Sequence, residues 1–198
     1  MKKNYIFQIS MPCAGSTSLC AALNILGIPS LHYQVPHPDS GNLKKVILKN
    51  LKFKRRLFYP YDEEYIGFCD FDGEDFYKIL FEMYPDSKFI YTWREYDPWI
   101  KSVMKLEQNL YIKKYNKTLP NKIFKARKNR RTTYWNSVKV IPEFFKNNSS
   151  RFLEMKICDG NDDSWEKLCN FLEMDIPNVN FPHLPSNNTL YNYKLLEL

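Results

Sequence analysis

The fold is decided by Tyr5-Ile6-Phe7-Gln8-Ile9-Ser10-Met11-Pro12-Cys13-Ala14-Gly15-Ser16-Thr17-Ser18-Leu19-Cys20-Ala21-Ala22-Leu23-Asn24-Ile25-Leu26-Gly27. The segment 5–9 is a short apolar run of β-prone residues and reads as a buried strand. Met11 to Gly15 break it with turn-forming types. Ser16, Thr17 and Ser18 are residues that cap helices, and Leu19, Ala22, Leu23 and Leu26 then follow the spacing of one helix face. Gly27 ends that helix and Pro29 follows. The chain therefore opens strand, loop, helix.

Working outward, the same alternation continues. Residues 65–69 predict a second strand that ends at Asp70, and Gly73-Glu74-Asp75 lead into a helix over 76–83, stopped by Pro85. Residues 88–93 predict a third strand. Asp97-Pro98-Trp99 open the next helix, with Asp as cap and Pro at the first position, running through Val103 and Met104. The stretch 108–131 reads as loop and helix, and 134–145 as a helix bent or restarted at Pro142. Residues 151–157 predict a fourth strand, and 164–172 a helix that turns Trp165, Leu168 and Leu172 inward. Residues 30–61 look irregular apart from a short basic helix around 43–52, and the tail from Pro177 reads as a loop tied down by Phe181 and Leu184. Strands alternating with helices imply a three-layer α/β/α fold with a central parallel sheet, in one domain spanning 1–198. In such sheets ligands bind at the carboxyl ends of the strands, here Met11–Ser18, Asp70–Gly73 and Arg94–Ser102.

Composition narrows the class. The 198 residues are 44% hydrophobic, 26% charged and 16% aromatic, a globular balance. No apolar run of about 18 residues occurs, so no membrane span is expected. Lys2 and Lys3 are not followed by a long apolar stretch, so no signal peptide is expected. Five cysteines (Cys13, Cys20, Cys69, Cys158, Cys169), none in a CxxC pair, and three histidines suggest neither a zinc site nor a disulfide framework. They read as free thiols of a cytoplasmic protein without a metal. The net charge of +7 is uneven: 44–56 carry seven Lys or Arg and no acid, and 101–131 carry eleven with Glu107 the only acid. Such blocks are either solvated helix faces or surfaces for an anionic ligand.

At the first strand end, a Gly-containing turn that opens a helix directs several backbone N–H groups at one point, and three hydroxyls add donors. The loop is not a Walker A sequence, because Ser10 stands for its first Gly and Ser16 for its Lys, which disfavours ATP hydrolysis. Nor is it a cysteine-phosphatase loop, since Leu19 occupies the place of the Arg in Cys-x5-Arg. At the second end, Asp70, with Asp72 as its neighbour, is either a general base facing the first loop or a cap of the next helix. At the third, Arg94 and Ser102, eight residues apart, can hold a phosphate with a guanidinium fork and a hydroxyl.

Together these three sites resemble the P-loop sulfotransferase family, and most closely its short single-domain members. Pro12-Cys13-Ala14-Gly15-Ser16-Thr17-Ser18-Leu19 stands where that family has its phosphosulfate loop, and Arg94 with Ser102 matches the pair that grips a 3′-phosphate. Tyr84 to Arg94 with Trp99, and Trp165 to Leu172 with Phe181-Pro182-His183, are similar to further segments of the family. The similarity covers most of 4–184 and is poorest over 30–64 and 105–130. It implies transfer of a sulfuryl group from 3′-phosphoadenosine 5′-phosphosulfate (PAPS) to a hydroxyl or amine of a small-molecule or glycan acceptor. By resemblance, Cys13, Ala14, Gly15, Ser16, Thr17, Ser18, Arg94 and Ser102 bind the cofactor, and Asp70 occupies the place of the general base. The family's loop Lys or Arg corresponds to Cys13, whose thiol cannot supply that charge, and losing such a donor costs about 10²–10³ in rate. A cation from 113–131 could swing in instead. His32 and His37 fall beyond the first helix and read as surface residues within reach of an acceptor.

Two other functions compete. One is a degenerate protein that binds PAPS or its product with little transfer. The other, less expected, is a nucleic-acid module in which Tyr111, Tyr115 and Phe124 interleave with the basic residues of 101–131.

Overall fold

The run Ile6–Gln8 forms β1, the central strand of a five-stranded sheet. The computed structural model describes residues 4–36, 41–118, 129–157 and 163–184. Around β1 lie β2 (Ser30–His32), β3 (Gly67–Cys69), β4 (Lys88–Thr92) and β5 (Phe152–Met155). Their order is β2-β3-β1-β4-β5, and every pair is parallel. The register sets Phe7 beside Phe68 and Phe89, and Ile90 beside Leu153. The helices are α1 (Ser16–Ile25), α2 (Leu43–Lys52), α3 (Gly73–Met83), α4 (Tyr96–Tyr115), α5 (Asn129–Phe145) and α6 (Ser164–Leu172).

Strand side chains alternate between faces, and this alternation assigns the layers. Phe7, Ile9, Phe68, Phe89 and Tyr91 bury against α2, α3 and the end of α5 through Leu43, Ile47, Leu80, Ile141 and Phe145. Ile6, Cys69, Ile90 and Met155 face the other way, onto Leu19 and Leu23 of α1 and Trp165, Leu168 and Cys169 of α6. The sheet is thus covered on both faces, as its near-continuous apolar strands require. A smaller cluster of Met11, Trp99, Val103 and Tyr134 joins α4 and α5 to the loop after β1.

Several boundaries differ from the sequence expectation. The segment expected to be irregular from residue 30 begins with β2, whose three residues pair with β3, so the sheet has five strands rather than four. Helix α1 starts at Ser16. Its cap position is Gly15 at φ 95°, and no side chain caps it, so the three hydroxyl residues lie inside the first turn. Helix α4 starts at Tyr96 with Glu95 before it, so Asp97 sits in the first turn rather than capping it, and the helix continues to Tyr115. Helix α5 begins at Asn129 and runs through Pro142. The basic helix expected at 43–52 is α2.

Candidate functional site

Helix α1 begins immediately after a loop in which Cys13 (φ 63°) and Gly15 (φ 95°) both have left-handed backbone. Such alternation turns N–H groups toward a common hollow at a helix N-terminus, a favourable place for an anion. Ala14, Ser16, Thr17 and Ser18 are buried there, and Cys13 is half-buried. Each of the three hydroxyls meets a partner. Ser16 Oγ lies 3.0 Å and Thr17 Oγ1 3.4 Å from His32 Nε2, while Ser18 Oγ accepts from the Leu184 N–H at 3.0 Å. Trp99 Nε1 donates to the Pro12 carbonyl at 2.9 Å, so α4 holds the loop from above.

The end of β3 is tied to this loop through the sheet. The Asp70 N–H donates to Gln8 Oε1 at 2.9 Å, and Gln8 Nε2 donates to Thr92 Oγ1 at 3.0 Å. The Thr92 N–H and hydroxyl donate in turn to Ser10 Oγ at 2.6 and 2.9 Å. Gln8 is only 2% exposed, and this network satisfies its amide in full view of three strand ends. Gly73 permits the approach: a Cβ there would stand 2.5 Å from the Gln8 carbonyl oxygen and 2.6 Å from Ile9 Cα.

Two carboxylates follow β3, and they differ. Burial first, and the charge of Asp72 second, push the Asp70 carboxyl up to about 6, and its Oδ2 lies 3.7 Å from His32 Nε2. Asp72 Oδ2 accepts from Lys44 Nζ at 2.7 Å, and the same ammonium reaches Asp75 at 3.0 Å. Neither aspartate supplies the cap of α3, where no side-chain cap bond forms. Asp72 is already paired, whereas Asp70 faces the loop and can accept a proton near neutral pH. Glu74, in the first turn of α3, is pushed up to about 8, chiefly by burial, and its Oε2 is buried without a hydrogen-bond partner.

His32 corrects the expectation of a surface residue. It ends β2, is 3% exposed, and burial pulls its ring down to about 4, so it is neutral at pH 7. The only local signal was the short Ser30-Leu31-His32 alternation, which puts Ser30 and His32 on the α1 face. Gln8, a polar residue inside the run 5–9, was the signal for the network. His37 lies outside the described residues.

At the third strand end Arg94 Nη1 donates to Ser102 Oγ at 3.1 Å. The Arg94 carbonyl accepts from the Tyr134 hydroxyl at 2.8 Å, and Arg94 Nε is buried with no hydrogen-bond partner. A buried guanidinium N–H left over after these contacts is costly unless an oxyanion meets it, so this pair suits a phosphate.

The basic blocks are partly neutralised. Lys44 pairs as above, Arg56 pairs with Asp62 and Glu63, and Arg130 with Glu107. Arg131 lies 5.9 Å over the Tyr96 ring, in the aromatic cluster that also touches Cys13. Tyr111 and Tyr115 pack on each other with centroids 4.7 Å apart. Phe124 and the cations of 119–128 lie outside the described residues, as does Cys158. Among the described residues no three His, Cys, Asp or Glu side chains gather as metal ligands, and no helix is long and apolar enough to cross a membrane.

A parallel sheet covered on both faces, with its polar chemistry at the carboxyl ends of β1, β3 and β4, defines a three-layer α/β protein whose ligands meet the strand ends. Residues 5–190 match the family described as Sulfotransferase domain, and the chain belongs to that family. The general activity of that family is sulfuryl transfer, a reaction between a nucleotide donor and an acceptor, and PAPS is the family's general donor. No curated protein matches the chain.

Proposed function

We propose that this protein, as one domain over 1–198, transfers a sulfuryl group from PAPS to a hydroxyl or amine of a small-molecule or glycan acceptor. Its cysteines suit a reducing, cytoplasmic setting. The observation that carries the reading is Arg94, with Nη1 on Ser102 and a buried Nε still unused. That arrangement fits the 3′-phosphate, the group that separates PAPS from ordinary nucleotides. The left-handed turn at Cys13, Ala14 and Gly15 and the helix start at Ser16, Thr17 and Ser18 would receive the 5′-phosphosulfate.

When bound, the donor supplies the sulfuryl group, and adenosine 3′,5′-bisphosphate is the product. The chain's own residues do the rest. Arg94 and Ser102 fix one end of the nucleotide, and the N-terminus of α1 fixes the other, which orients the reacting bond. Asp70 takes the proton from the acceptor hydroxyl or amine as the new bond to sulfur forms and the bond from sulfur to the phosphate oxygen breaks. With its carboxyl near 6, Asp70 is mostly ionised at pH 7 and still basic enough to accept. Trp99 and Tyr134 close the loop side and exclude water.

A second reading, a protein that holds PAPS or its product with little transfer, is favoured by one residue. Cys13 is uncharged where the family resemblance expects a cation. Calorimetric titration with adenosine 3′,5′-bisphosphate, followed by a transfer assay with labelled PAPS and an acceptor panel, tests both readings. Micromolar binding with transfer supports the enzyme, and binding without transfer supports the second reading. An absence of binding by the intact protein would remove the donor site from both.

A further inference from the structure

His32 was not expected in the site, yet its Nε2 faces three oxygens: Ser16 Oγ at 3.0 Å, Thr17 Oγ1 at 3.4 Å and Asp70 Oδ2 at 3.7 Å. An ionised carboxylate oxygen only accepts, so a bare ring nitrogen facing it would be repelled, and the ring proton belongs on Nε2. Ser16 Oγ is then the acceptor of the closest contact. A hydroxyl that accepts from a ring N–H keeps its own hydrogen for another partner. At the first residue of α1, beside the left-handed Gly15, that partner is an anion in the hollow.

We propose that His32 is a positioning residue of the donor site: through Nε2–H it orients the Ser16 and Thr17 hydroxyls as donors toward the 5′ end of the nucleotide and holds that loop in register with Asp70. This assignment rests on the PAPS reading. The imidazole does this as a neutral group, because burial under α1 disfavours its charged form. Its position on β2 is rigid: His32 pairs with Cys69 of β3, one residue before Asp70. One side chain on an edge strand thus links the loop of β1 to the acid that follows β3. The arrangement gives a loop without a cation a set of pre-aimed hydroxyls, so little reorganisation is needed when the donor arrives.

The test is a double-mutant cycle read by calorimetry with adenosine 3′,5′-bisphosphate, with folding checked by thermal melting. His32→Gln keeps an amide N–H near the Nε2 position and is expected to bind within about threefold of the intact protein. His32→Asn carries its amide where Nδ1 stands, short of Ser16, and is expected to bind about tenfold more weakly, the scale of one hydrogen bond. Ser16→Ala is expected to cost a similar factor. The two together should still cost about tenfold rather than about a hundredfold, because both remove the same contact. A purely structural role for His32 would give additive losses and no rescue by Gln, and either result overturns the proposal. If His32→Asn does not fold, His32→Gln decides alone: binding within about threefold supports the proposal, and a tenfold loss overturns it. The intact protein is the control for the underlying reading. If it fails to bind the bisphosphate, the PAPS site falls. If it binds and the cycle is additive, only the role of His32 falls.

Discussion

The two ends of the proposed donor site are built by opposite means. Around Gly15 the chain offers left-handed backbone, a helix N-terminus and buried hydroxyls held by a neutral imidazole, with no cationic side chain between Pro12 and Ser18. At Arg94 it offers a full guanidinium charge braced by Ser102. The difference matters because the two ends meet different charges during transfer. The charge on a 3′-phosphate is the same before and during the reaction, so Arg94 would contribute uniform binding. Negative charge grows on the bridging oxygen as the bond to sulfur breaks, so a cation at the loop would act mainly on the rate. On this account the protein keeps its binding anchor and lacks its rate-enhancing cation, and affinity and turnover should separate under mutation.

The largest separation is expected at Asp70. Asp70→Asn should lower the transfer rate by about 10²–10⁴ while leaving affinity for adenosine 3′,5′-bisphosphate nearly unchanged, as steady-state kinetics beside calorimetry would measure. A parallel fall in both would mean that the Asp70 carboxylate serves the site's structure through its contact with His32 instead. Next is Cys13→Lys, which restores a cation at the loop. It should raise turnover by about tenfold, less than the full value of an evolved donor, with a smaller change in affinity. No gain in turnover would mean that another group, Arg131 being the one over the Tyr96 ring, already supplies the charge.

The pH dependence sharpens the same contrast. Because Asp70 must be ionised to accept a proton and its carboxyl sits near 6, kcat/KM should fall as pH drops below about 6, by about tenfold per unit. Asp70→Asn should lose that limb of the rate, whereas bisphosphate binding, whose phosphates take up a proton at about pH 6, should change with pH alike in the intact protein and the variant. The smallest effect is expected at Glu74, away from the transfer itself. Its folded-state carboxyl, near 8, holds a proton that the unfolded chain gives up near 4.5, so this group costs stability as pH rises between those values. Glu74→Gln should remove that slope and raise the melting temperature at pH 8 by a few degrees, with little change at pH 5. An unchanged slope in the variant would mean that Glu74 is not the group responsible.

What the sequence made legible was local. The opening strand, loop and helix, the strands at 67–69 and 88–92, and the Arg94–Ser102 spacing all carry their signal within about ten residues. What it hid depends on contacts between distant segments. β2 is three residues long and exists because Leu31 and His32 pair with Phe68 and Cys69. The hydroxyls of Ser16 and Thr17 read as helix caps, but a histidine on the neighbouring strand face takes them instead. Gln8 reads as one polar residue in an apolar run, and only the packing of three strand ends makes it a junction. The family resemblance placed Asp70 near the loop, but the pairing of Asp72 with Lys44, which separates the two aspartates, needed the fold.

The central claim is that Arg94 reads the 3′-phosphate while the loop of α1 reads the 5′ end. The most direct measurement compares the affinities of adenosine 3′,5′-bisphosphate and adenosine 5′-monophosphate for the intact protein and for Arg94→Ala. The account predicts that the intact protein prefers the bisphosphate by about a hundredfold or more, and that Arg94→Ala erases the preference while still binding the monophosphate. A preference that survives the loss of Arg94 would contradict it.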